Sequence, residues 1–148
     1  MLFLSIKPQY VAKFRNGTKR VELRRRRPRS QSGDWMAIYE SSPTMALVAV
    51  ARISEVRASS PQCLWRRAGK MSGVSKKEFD EYFAGTDQAV GIFIDQPTEL
   101  PFPVPLSDLR SVWPKFNPPQ AFLYLSDEQQ KYVFDQFDGL PFALDSVA

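Results

Sequence analysis

The stretch Gly17-Thr18-Lys19-Arg20-Val21-Glu22-Leu23-Arg24 holds the densest chemistry in the chain. An amine, a carboxylate and a guanidinium fall within one short segment. Residues two apart on a strand share a face, so Glu22 and Arg24 project side by side. Lys19 has the opposite parity. It joins them if the strand begins after it or a bulge intervenes. Such a trio can grip phosphate or a base edge. It can also move protons, with a pKa-shifted Lys19 as base and Glu22 as general acid or base. Thr18 and Ser41 are then the candidate nucleophilic hydroxyls. The plain alternative is an exposed ion-pair ladder, worth at most about 1 kcal/mol.

The residues that are absent narrow the chemistry. The chain has no histidine and one cysteine, Cys63. Ser-His-Asp triads, Cys-His nucleophiles and His-based metal sites are thereby excluded, as is an intrachain disulfide. No metal site and no cofactor is expected. Cys63 reads as a small buried hydrophobe rather than a reactive thiol.

Five arginines, Arg24, Arg25, Arg26, Arg27 and Arg29, follow almost without interruption. Guanidinium forks match phosphate geometry and give sequence-independent affinity. By parity Arg26 shares the face of Glu22 and Arg24, while Arg25 points away. Arg24 is expected to line a pocket, with Arg27 and Arg29 on its rim. Arg66, Arg67 and Lys70 flank Trp65 and extend the basic track. Tyr39, at a strand end beside Ser41 and Ser42, is the candidate for stacking on a base. Trp35, Trp113 and Phe116 read as packing residues.

These groups need a scaffold of short elements. Leu2 to Ile6 reads as a buried strand, and residues 8–16 as a helix opened by Pro8 and stopped at Asn16-Gly17. Strands are expected over residues 19–26, 35–39, 45–56 and 89–94, and a short helix over 61–68. Ser75-Lys76-Lys77-Glu78 is a capping box that opens a helix, and Ser126-Asp127-Glu128-Gln129 is another, opening a final helix that Gly139 ends. The proline-rich stretch 97–105 suggests an extended edge or loop, and residues 107–110 a single helical turn. With 148 residues, 43% of them apolar and 24% charged, the chain fits one domain over 1–148. Its core spans about residues 2–138, with a frayed tail. The fold class is α+β, barrel-like with short peripheral helices. No segment reads as a signal peptide or membrane span, so a soluble cytoplasmic protein is expected.

The net charge of +4 hides a split. Residues 1–76 carry 16 basic and 4 acidic side chains, whereas residues 77–148 carry 4 and 12. The cationic half contains the candidate site.

The pattern G-x-K-x-x-E-x-R resembles the signature of the ASCH family, in the PUA-like superfamily. Ser5-Ile6-Lys7-Pro8, Glu22 to Arg26, Gly33-Asp34, Ile38-Tyr39, Ser41-Ser42-Pro43 and Pro118-Pro119-Gln120-Ala121-Phe122 are similar to ASCH sequences in the same order. The resemblance implies a β-barrel with peripheral helices and a cleft beside the motif. It implies binding of RNA, another nucleic acid or a nucleotide at Lys7, Lys19, Glu22, Arg24, Arg26, Arg27, Tyr39, Ser41 and Ser42. Some relatives are hydrolases of acylated nucleosides, or ribonucleases. The acylated-nucleoside hydrolases resemble G-x-K-x-x-T-x-R, and Glu22 replaces their threonine here, which counts against that activity. Three readings stand. The first is a nucleic-acid-binding module, and the second a hydrolase using Lys19 and Glu22. The third is a regulatory domain whose acidic half meets a basic partner.

Overall fold

Every apolar residue of β1 (Leu2–Ile6) is buried, as a strand flanked on both edges and covered on both faces requires. The computed structural model describes residues 1–137. In it β1 pairs in parallel with β3 (Trp35–Glu40) and antiparallel with β7 (Leu123–Tyr124). Helix α1 (Pro8–Arg15) follows β1 and leads to β2 (Val21–Arg24). The longest strand, β4 (Ala46–Ser59), carries the sheet around a bend. Its first half pairs with β3 and with β6 (Thr98–Pro105), and its second half with β5 (Ala89–Ile94). The strand order is β2-β5-β4-β3-β1-β7, with β6 pairing to β4 off that path.

This order corrects the barrel expectation in one respect. No backbone ladder joins β2 to β1 or β7, so the curled mixed sheet is open at that seam. The two flanking strands, β2 and β7, are four and two residues long, too short to zip it shut. The class is α+β, as expected.

Three apolar clusters pack around the sheet. The first lies inside the curl and takes in Val11 and Phe14 of α1. The second lies on the other face of β1 and β3, where α4 (Leu106–Val112) and α5 (Asp127–Asp135) cover it. The third joins β2 and β5 to α2 (Pro61–Ala68) and α3 (Lys76–Tyr82). Both capping boxes form as the sequence suggests.

Some boundaries move. The strand expected over 19–26 contracts to Val21–Arg24. The proline-rich stretch is a strand, because its prolines fall in an edge strand where missing N–H groups cost little. Helix α5 ends at Asp135, before Gly139. The frayed tail, like Gly139, lies outside the described residues. Cys63 is exposed near the start of α2, not buried, because Leu64 and Ala68 take that helix's inward positions. Among the described residues no helix is long and apolar enough to cross a membrane.

Candidate nucleic-acid interface

Gly17 adopts φ +81°, a left-handed conformation that ends α1 and turns the chain toward β2. Because β2 starts only at Val21, Lys19 is free of strand alternation and turns in beside Glu22. Its Nζ lies 3.6 Å from Glu22 Oε1 and donates to the Ser72 carbonyl at 2.5 Å. The Tyr10 and Phe14 rings lie 5.1 and 5.3 Å from the same nitrogen. Lys19 is only 2% exposed. Burial holds its amine below the ordinary lysine pKa, and the Glu22 charge offsets part of that effect.

Glu22 and Arg24 share a face of β2, as alternation requires. Arg24 donates to Glu22 Oε2 at 2.8 Å. It also donates to the Ser5 carbonyl on β1 at 3.2 Å and to the Ala121 carbonyl ahead of β7 at 2.7 Å. One guanidinium thus ties both sides of the open seam together.

The trio forms part of a cavity of about 310 Å³ between β1, β2 and α3. Lys7 and Tyr10 line it from one side, Glu78, Phe79 and Tyr82 from another, and Gln120 closes the rim. Tyr82 is 42% exposed, and burial of the remainder raises its phenol pKa. Burial also raises that of Tyr10, with Glu78 and Glu22 adding to the effect.

The structure brings together Lys7, Lys19, Glu22 and Arg24, and separates the other proposed site residues from them. Arg26 and Arg27 are exposed beyond the end of β2 and do not line the cavity, since the chain leaves strand geometry after Arg24. Tyr39 is 2% exposed in the second core, 5.8 Å from the Phe3 ring. It shares a strand face with Ala37, which that core also claims, so it cannot stack on a ligand. Ser41 and Ser42 sit in the turn after β3, outside the cavity, and Ser41 N–H donates to the Ile6 carbonyl at 2.9 Å. The Thr18 hydroxyl donates to Asn16 Oδ1 at 2.6 Å and is also outside. Arg29 lies over the Tyr124 ring at 4.6 Å, in a separate depression.

Sequence reasoning missed Tyr10, Glu78, Tyr82 and Gln120 as cavity residues. A signal existed for Tyr10, one helical turn after Lys7, and for Gln120, inside the Pro118–Phe122 segment. The α3 residues carried none, because only the tertiary fold brings that helix over β2.

The open, curled sheet belongs to a recognised class of fold. The ASCH domain profile matches residues 4–94, and the chain belongs to the ASCH domain family. A Zymomonas mobilis protein named "ASCH domain-containing ribonuclease" is 29% identical over 133 residues, which cover 88% of each chain. The crystal structure of ASCH from Zymomonas mobilis aligns with TM-score 0.85 at 25% identity, over 90% of this chain and 93% of that one. A large ribosomal subunit protein uL22 from Ureaplasma parvum is 30% identical over 88 residues, and this match spans 27% of that protein.

Proposed function

We propose that this protein binds single-stranded RNA, with Lys19, Glu22 and Arg24 as the floor of its cavity. The observation that carries the reading is the buried trio itself. Two cations and one carboxylate give the floor a net positive charge in a poorly hydrated setting, where fields are stronger than in water. Hydrogen bonds to the Ser72, Ser5 and Ala121 carbonyls hold that charge in place. Lys7 adds an exposed cation at the mouth, and Tyr10 and Tyr82 offer ring surfaces for bases. The relative named a ribonuclease supports RNA as the ligand class.

That name also favours a second reading, RNA cleavage. Glu22 would take the 2′-hydroxyl proton, and the freed oxygen would attack the adjacent phosphorus. The bond to the 5′-oxygen would break as Lys19 supplies its proton, leaving a cyclic phosphate and a 5′-hydroxyl. Burial makes the Lys19 ammonium a stronger acid than an ordinary lysine, which suits that step. Arg24 would neutralise charge on the phosphorane. Deacylation of nucleosides has less support, because Glu22 stands where the acylated-nucleoside hydrolases have threonine and neither Thr18 nor Ser41 lines the cavity that holds Lys19.

A labelled single-stranded RNA, followed by anisotropy and on a gel, tests both readings. Tyr82→Ala is expected to weaken binding by roughly 5- to 150-fold, the range for losing one base–aromatic stack. Affinities unchanged in both Tyr82→Ala and Lys19→Met would place the ligand elsewhere. Glu22→Gln should keep binding and lose any cleavage product. Product that persists in this variant removes the catalytic reading.

A further inference from the structure

We infer that the binding groove continues past Val74 into a second subsite for the sugar and phosphate of a neighbouring nucleotide. The ligand is therefore a strand of at least two nucleotides, not a free nucleoside. This rests on the RNA-binding reading of the first cavity and extends it.

Val74 borders both the first cavity and a second one of about 490 Å³. That volume is in the range of small-ligand sites and is ample for one nucleotide. The chemistry of the two cavities differs. The first has carboxylates, Glu22 and Glu78, on its walls. The second has no carboxylate and two lysines, Lys13 from α1 and Lys70 from the turn after α2. Lys70 is exposed and has no ion-pair partner among the described residues. Lys13 Nζ donates to the Gly73 carbonyl at 2.5 Å and lies 5.8 Å from the Tyr10 ring, which lines the first cavity. It therefore stands between the two spaces. A phosphodiester leaving the first cavity would meet Lys13, then Lys70.

The second cavity also has a firm wall. Trp65 lies so close over Gly69 that a Cβ there would come within 2.7 Å of the indole. The Phe79 ring meets it edge-on at 5.0 Å. The indole is pinned before any ligand arrives, so little ordering is required on binding.

The test compares a mononucleotide with a single-stranded ribo-oligonucleotide of roughly eight nucleotides, a length typical of such grooves. Lys13→Gln/Lys70→Glu should weaken the oligonucleotide by about tenfold or more, and Lys70→Glu alone should leave the mononucleotide unchanged. The slope of log affinity against log salt should become shallower by about 1.4, or about 0.7 for each lost phosphate contact. Lys70→Glu alone, an exposed change, should move both readouts in the same direction and guards against misfolding of the double variant. Oligonucleotide affinity and slope equal to wild type would overturn the second subsite. Displacement of the oligonucleotide by micromolar inorganic phosphate would also overturn it, making the cavity a free-anion site. Failure of the underlying reading looks different: Lys19→Met would then leave both ligands unaffected.

Discussion

Replacing Arg24 with alanine should loosen the fold as well as the site. The guanidinium is 13% exposed and makes three hydrogen bonds, to Glu22, the Ser5 carbonyl and the Ala121 carbonyl. Bonds of this charged kind contribute about 1.5–3 kcal/mol when sheltered and less when open to water. The bond to Ala121 is exposed and the other two are partly buried. Their combined loss should cost about 3–5 kcal/mol, part of it because Glu22 then keeps only Lys19 as a counter-charge. For a chain of this length each kcal/mol shifts Tm by about 2–4 °C, so a drop of roughly 6–20 °C is expected. Arg24→Lys keeps the charge but has one point donor where the fork reaches three acceptors, and it should fall between the two. Urea unfolding and calorimetry on the three proteins measure this directly. A Tm within about 2 °C of wild type for Arg24→Ala would mean that the guanidinium does not hold the seam.

Two further results are expected. Lys19→Met should destabilise by about 3–5 kcal/mol, since it removes one partner of a buried pair, whereas adding Glu22→Gln should recover part of that loss; a strictly additive double variant would contradict the pairing. The same lysine sets a pH dependence. Its folded pKa lies below 10.5, so between those values the unfolded chain binds more protons and stability rises with pH. The phenols of Tyr10 and Tyr82, held above 10.0, pull the other way at the alkaline end. The stability gap between wild type and Lys19→Met cancels their contribution and should widen as pH approaches 10.5; a constant gap would refute the buried amine.

The motif was legible because its constraints are local. Alternation alone places Glu22 beside Arg24, and Gly17 marks the turn that frees Lys19 from that alternation. Tyr39 shows where local reasoning stops. Its parity with Trp35 and Ala37 was readable, but the cover over that sheet face was not. Leu106, Leu109, Val133 and Phe137, more than sixty residues downstream, supply it. Tyr82 was hidden for the same reason in reverse. On α3 it reads as part of an apolar stripe with Phe79 and Phe83, and only the docking of α3 against β2 turns its ring to the cavity mouth. The open seam was also illegible, because strand lengths set by tertiary pairing decide whether a curled sheet closes.

The bond from Arg24 to Ala121 joins residues 97 positions apart in the chain. At ribosomal speeds of about 5–20 residues per second, the arginine waits roughly 5–20 s for its acceptor to be made. Through that interval the nascent chain displays Lys19, Arg24 and the arginines after it, with nothing from the Gln120 side to limit access. The segment made before that rim is thus the more cationic part of the chain. Until the segment just before β7 is made and folded back, the Arg24 guanidinium lacks the carbonyl that ties it across the seam.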